Sequence, residues 1–199
     1  MTKTGKKQAI LTAAKQLLVE VGYESMSPRM VLERSGAGQG SFYHHFSGKK
    51  HLAKTVLLDI AKELKADLLQ IVQNDSLSPV EKIDHYLARP RHGLQGCKLG
   101  RLANEKAFSD AELRQPLHQY FDFSLQQVRQ LVQQAVVEGQ FPADAPADEI
   151  AHLIVAAVQG GYVLSKSLDN NFAVNNSTAG ARALLRAYQA SAASAVRQS

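Results

Sequence analysis

The sequence predicts an all-α protein with a small N-terminal head of three helices and a larger helical body. Three observations carry this. Apolar residues recur with helical spacing along the 199 residues, and no strand-length stretch alternates Val or Ile with polar residues. Two short segments near the N-terminus are joined by a glycine-rich turn. The remaining segments are punctuated by Ser-Pro, Ala-Pro and Gly signals at helix-length intervals.

Taken in order, Ile10, Ala13, Ala14, Leu17, Leu18 and Val21 form an i, i+3, i+4, i+7 stripe, which predicts a helix over 6–21. Gly22 follows as a stop. Ser27-Pro28 restarts the chain, because serine caps a helix and proline fits its first position. The second helix runs 28–35, Gly36-Ala37-Gly38 is a turn, and a third helix covers 39–46. Ser47-Gly48 ends it. A long helix over 49–74 carries Leu52, Val56, Ile60, Leu64, Leu68 and Ile71. Further helices are expected at 78–90, 100–108, 110–138, 146–168 and 177–196, with a polar loop from Asp169 to Asn176. The total is nine helices, divided into a head of residues 1–50 and a body of residues 51–199.

Composition narrows the functional class. Hydrophobic residues make up 45%, enough for a sizeable core, and no apolar run approaches the ~20 residues of a membrane span. The start of the chain is amphipathic and not an apolar signal core. With the single cysteine, Cys97, this leads to an expected cytoplasmic location without an internal disulfide. Charge is uneven. Residues 1–54 carry nine Lys/Arg against three Glu, and the other 145 residues carry 14 basic against 15 acidic groups. A basic head on a neutral body suits a polyanion partner. The glycines at 36, 38 and 40 follow a helix and not a strand, so they make no dinucleotide fingerprint. Neither a metal-ligand set nor a nucleophile–base pair stands out. No catalytic residue, metal or cofactor is therefore assigned.

The two short helices and their turn match the helix-turn-helix pattern, whose second helix enters the major groove. Phe42 and Phe46, spaced i, i+4, would anchor 39–46 to the core. Gln39, Ser41, Tyr43, His44 and His45 offer hydrogen-bonding groups for bases or phosphates. Lys49 adds cationic charge at the start of the next helix. The run Gly40-x-Phe42-Tyr43-x-His45-Phe46-x-x-Lys49-x-x-Leu52 resembles the signature of the TetR-type repressors, and Ala13-Ala14…Leu17…Gly22-Tyr23 is similar to their first helix. Ser27-Pro28-Arg29-Met30-Val31 departs from the Thr-rich, Ile-Ala-containing sequence more usual there. The resemblance implies a homodimer that binds a palindromic double-stranded operator and represses until a small-molecule inducer enters the body. It implies that Tyr43 and Lys49 hold phosphates, that Gln39, Ser41 and His44 face the groove, and that Arg29 touches backbone or an adjacent base. An activator of the same fold, or a helical interaction protein that does not bind DNA, is the alternative.

In the body, Gly96-Cys97-x-x-Gly100-x-Leu102-Ala103-x-Glu105 resembles a stretch in one branch of these repressors, some of whose members control detoxifying reductases and sense electrophiles or small carbonyl compounds. A thiol at a helix start beside Lys98 is suited to such a role; the bland alternative is a small buried apolar residue. Cys97, Glu105, Phe108, Tyr120, Phe123 and Tyr162 are the inducer-site candidates, with His85, Tyr86 and Phe121 beside them; His85 and Glu105 stand out because a buried polar group needs a partner, which a ligand can supply. Helix 146–168 is apolar on more than one face, so one side can meet its own body and another a partner. Ile154, Val158 and Gly161, with Leu184 and Ala187 of the last helix, are expected at the dimer interface.

Overall fold

A computed structural model describes residues 3–196, with side chains described over 5–190. Among these, the α-helices are α1 (Lys3–Glu20), α2 (Gly22–Ser25), α3 (Pro28–Ser35), α4 (Gln39–His45), α5 (Lys49–Val72), α6 (Pro79–Ala88), α7 (Ala111–Val137), α8 (Ala147–Ser167) and α9 (Ala173–Val196). Three short 3-10 turns, Gly93–Gln95, Gly100–Asn104 and Lys106–Ser109, lie between α6 and α7. No strand occurs among the described residues. None of their helices is long and apolar enough to cross a membrane.

Local chemistry accounts for most boundaries. The Ser27 hydroxyl accepts from the Met30 amide at 3.2 Å, and Pro28 occupies the first position of α3. Gly36 closes α3 in the left-handed region, at φ 64°, where a Cβ is disfavoured. At α6, Ser78 and Glu81 form a reciprocal capping box behind Pro79.

Three departures from the expected elements have physical causes. The helix expected over 100–108 is absent; two 3-10 turns replace it, separated by Glu105 in an extended conformation. The Ala107 amide, which a helix would direct at residue 103, instead donates to the Glu24 carboxylate at 3.1 Å. The Glu105 carboxylate in turn accepts from the Tyr23 and Glu24 amides. Long-range hydrogen bonds have displaced the helical ladder. Those same bonds hold α2, a four-residue helix with no signature of its own. The loop expected to reach Asn176 is shorter, because Asp169 turns at φ 47° and the Asn170 side chain accepts from the Phe172 amide, so α9 begins at Ala173.

Backbone contacts divide the chain into two units. The first holds the chain through Glu63 together with Lys98–Tyr120. The second holds Leu64–Cys97 and the chain from Phe121 onward. The division falls inside α5 and α7. In the first unit the α1 stripe is buried at Ile10, Ala13, Ala14, Leu17 and Leu18, alongside Val31, Phe42, Phe46, Leu52, Val56 and Ile60. Val21, the last residue of the expected stripe, is exposed. In the second unit, α6, α7, α8 and α9 enclose Ile83, Leu87, Leu131, Val132, Phe141, Ile154 and Leu185. Arg182 of α9 makes a bidentate ion pair with Asp84 of α6 at 2.7 Å. This pairing lowers the Asp84 pKa below its ordinary value.

The α8–α9 pair is unusually close at one point. A Cβ on Gly161 would stand 2.8 Å from the Val174 backbone and 3.0 Å from Ser177 Cβ. The Ser177 hydroxyl donates to the Ala157 carbonyl at 2.7 Å, and the buried Ser165 hydroxyl accepts from the Val174 amide at 3.0 Å. Gly93 fits against the same Ser165, where a Cβ would fall 2.2 Å from Oγ.

Candidate nucleic-acid interface

α4 is held by its two phenylalanines. Phe42 and Phe46 are buried, with ring centroids 5.9 Å apart. A seven-residue helix fixed through this edge turns its remaining positions outward. Gln39, Gly40, Tyr43 and His44 are exposed, and Ser41 is half-buried. Tyr43 lies edge-on to Phe42, at 5.1 Å, and is 54% exposed. His45 is half-buried and packs beside Phe46. The exposed row mixes donors, acceptors and an aromatic hydroxyl, the equipment that reads base edges and phosphates.

Six of the nine cations of residues 1–54 are engaged within the first unit. Lys15 pairs with Glu63, Arg34 with Glu20, and Arg29 with Glu33 four residues on. Lys50 reaches both Asp110 and Glu112 at 2.8 Å, and Lys54 reaches Glu112 at 3.2 Å. The Lys49 ammonium donates to the Glu24 carbonyl at 3.2 Å and lies 4.4 Å above the Tyr23 ring. Burial lowers its pKa, against the opposing pull of Glu105 and Glu24. Lys6 and Lys7 are exposed and have no ion-pair partner among the described residues. Positive charge at a helix start opposes the helix dipole, so these lysines gain nothing from α1 itself. A count of charges along the sequence does not separate these lysines from the neutralised ones.

The inducer-site candidates fall in both units. Cys97, Phe123 and Tyr162 belong to the second, and Glu105, Phe108 and Tyr120 to the first. Cys97 is buried and follows Gly96 in a turn; no α-helix begins there, so the expected helix start beside the thiol is missing. Tyr86 is buried and Tyr162 half-buried, and burial raises both phenol pKa values while Arg91 opposes the rise. Arg91 stands 5.3 Å over the Tyr86 ring and donates to the carbonyls of Tyr86, Leu87 and Arg89. Phe123 is half-buried beneath the Lys65 ammonium. Glu105 is taken up by α2, Phe108 is buried edge-on to Tyr23, and Tyr120 is half-buried. His85 is exposed.

The expected dimer residues also separate. Ile154, Val158 and Gly161 are already covered within the protomer, whereas Leu184 and Ala187 are exposed. The apolar face that α8 leaves open is a different one, with Leu153, Ala156, Gly160, Val163 and Leu164. On α9 the open face carries Gly180, Ala183, Leu184 and Ala187.

Comparison with known proteins agrees with this geometry. Residues 10–56 match the family model described as bacterial regulatory proteins, tetR family, and residues 80–181 match the tetracyclin repressor-like C-terminal domain. An uncharacterized HTH-type transcriptional regulator in the lacX 3' region of Lactococcus lactis subsp. lactis is 28% identical over 169 residues, covering 80% of this chain and 83% of its own. The HTH-type transcriptional repressor DhaR of Mycobacterium sp. (strain GP1) is 23% identical, covering 83% and 85%. A TetR-family transcriptional regulator from Agrobacterium tumefaciens shares the fold with a TM-score of 0.81 at 19% identity, over 94% of this chain and 99% of that one.

Proposed function

Because the chain belongs to the TetR family of bacterial regulatory proteins and is therefore a transcriptional regulator, we propose that it is a cytoplasmic repressor that binds a palindromic operator as a homodimer and is released by a small molecule. Residues 1–50 form the reader and residues 51–199 the sensing and dimerising body. The observation that carries the reading is the exposed Gln39, Tyr43 and His44 row on α4, fixed from behind by Phe42 and Phe46. Gln39, Ser41 and His44 read bases; Tyr43, Lys49 and Arg29 contact the backbone. Titration of the protein with duplex DNA from upstream of its own gene, over a range of salt, tests this. Each neutralised phosphate contributes about −0.9 to the slope of log K against log salt. A steep negative slope together with preference for one duplex over a scrambled one is expected. Binding indifferent to both salt and sequence would remove the reading.

The inducer site draws on Cys97, Phe123 and Tyr162, with Tyr86 and Arg91 nearby. What supports this is that Tyr162, half-buried, lies within electrostatic reach of both Arg91 and Cys97, so polar groups converge beside a buried thiol.

Dimerisation uses the open faces of α8 and α9. Exposed apolar side chains in one contiguous row mark an interaction surface, and Leu164 and Leu184 are 49% and 65% exposed in the protomer. Changing both to Lys leaves the protomer core untouched but forces charge into the shared face. The double variant is expected to sediment as a monomer with helical content intact, its dimer affinity lowered by about 100-fold or more from two unpaired buried charges. A dimer of parental affinity would exclude these faces.

A further inference from the structure

Three groups of α2 are claimed by residues far away in sequence. Glu105 Oε1 accepts from the Tyr23 amide at 3.1 Å, and Oε2 accepts from the Glu24 amide at 2.7 Å. The Glu24 carboxylate returns the contact by accepting from the Ala107 amide at 3.1 Å. Gly22 makes room for this clasp: it sits at φ 83°, and any Cβ there would fall 2.3 Å from Glu105 Oε1. The Tyr23 ring is edge-on to Phe108 at 6.1 Å and carries Lys49 on its face at 4.4 Å. The Glu24 carbonyl completes the seat by accepting from Lys49.

A four-residue helix does not hold itself in water, since nucleation is unfavourable and few bonds follow it. The conformation of α2 is therefore set by its partners, above all by Glu105. The seat of Lys49 consists of two parts of α2, the Tyr23 ring and the Glu24 carbonyl. Whatever fixes α2 fixes the place of the ammonium. A lysine held at one end is a directed charge; released, it is a flexible chain that must be ordered again on binding.

We propose that Glu105 is a positioning residue for DNA binding: by clasping α2 it sets Lys49 for a backbone phosphate. The proposal rests on the operator reading, in which Lys49 is a phosphate contact. It gives Glu105 a role different from the inducer contact that the sequence suggested. The clasp joins a carboxylate to two backbone amides, so it is lost when the carboxylate is neutralised, shortened or drawn away.

The test is operator titration across salt with the parent, Glu105→Gln, Lys49→Met and the double variant, each checked for parental helicity and cooperative melting. Glu105→Gln is expected to weaken binding by about tenfold, the scale of one charge-assisted hydrogen bond, and to flatten the salt slope by about 0.9, one phosphate contact. Lys49→Met should do the same. The double variant should bind no more weakly than Lys49→Met alone, because the two residues act through one contact. Glu105→Asp, which keeps the charge but withdraws it by one methylene, should fall between parent and Gln, and serves if the Gln variant does not fold. Additive losses, or a Glu105→Gln salt slope equal to the parent's, would overturn the proposal and leave Glu105 as part of the fold. A parent that shows no salt-dependent duplex binding would instead overturn the operator reading, and a Lys49→Met variant that binds as the parent does would overturn the phosphate role of Lys49 on which the proposal rests.

Discussion

Gly161→Glu is expected to prevent folding of the second unit, and Gly161→Ala to destabilise it measurably. The reason is crowding against Cα and Cβ atoms, which no side-chain rotation can move. The nearest atom to a new Cβ is Val174 Cα at 2.8 Å, followed by Ser177 Cβ at 3.0 Å. A flexible side chain could rotate away, but a helix axis can only move as a whole. Moving it breaks the Ser177 bond to the Ala157 carbonyl and the Val174 bond to Ser165. It also loosens the core around Ile154 and Val158. Overpacking a close contact costs roughly 1–3 kcal/mol, and replacing a mid-helix glycine by alanine returns about 1 kcal/mol of propensity. Gly161→Ala should therefore be destabilised by up to about 2 kcal/mol, on the balance of those two effects, and should fall below Gly160→Ala, which gains the propensity without the crowding. Glu adds a charge with no partner in a buried place, a further cost of several kcal/mol, which exceeds what a domain of this size can spare. Gly160→Ala is the internal control, since a Cβ there meets nothing within 4 Å in the protomer; because Gly160 lies on the face proposed for dimerisation, the variants are compared in the Leu164→Lys/Leu184→Lys background. Urea unfolding of the three variants decides the matter. A Gly161→Ala midpoint equal to that of Gly160→Ala would show that α8 and α9 are not in this contact.

Gly161 also marks the limit of what the sequence could say. Helix 146–168 is apolar around most of its circumference, so periodicity shows that both sides are covered but not by what. Ile154, Val158 and Gly161 look as suited to a partner as Leu164 does. Only the approach of α9 separates them, and that approach depends on backbone distances. Local chemistry was far more legible. Ser27-Pro28 starts a helix and Gly36 stops one because caps and left-handed turns are decided within a few residues. Phe42 and Phe46 could be recognised as anchors because their spacing alone puts them on one edge. Equally local signals predict a helix over 100–108, and the structure departs from it because the Ala107 amide and the Glu105 carboxylate serve α2. Hydrogen bonds between residues about 80 positions apart leave no periodic trace. The net charge of residues 1–54 is legible in the sequence, but not that Lys50 and Lys54 are held by Asp110 and Glu112, more than fifty positions away.

That redistribution of charge gives the second large effect, expected for Tyr43→Phe combined with Lys49→Met. Tyr43 is 54% exposed and touches its own unit through its ring against Phe42, so removing only the hydroxyl spares the packing. Lys49→Met keeps an apolar stem against the Tyr23 ring while deleting the ammonium. Neither change should shift unfolding by more than about 1 kcal/mol, as is usual for surface substitutions away from the core. Operator affinity should fall far more. Losing a charged and a neutral phosphate contact together should cost about 3 kcal/mol, or about 100-fold at moderate salt. The salt slope distinguishes the two contributions. Only the lysine releases a counterion, so the slope should flatten by about 0.9 for Lys49→Met and again for the pair, but not for Tyr43→Phe alone. Sequence preference should be unchanged in all three, because phosphate contacts position the protein without reading bases. Gln39→Ala or His44→Ala should do the reverse, altering the preferred bases while leaving the slope near the parental value. If the double variant keeps both the affinity and the slope of the parent, the phosphate-binding charge lies elsewhere in the first unit. Lys6 and Lys7, exposed at the start of α1 and without an ion-pair partner among the described residues, are then the residues to replace next.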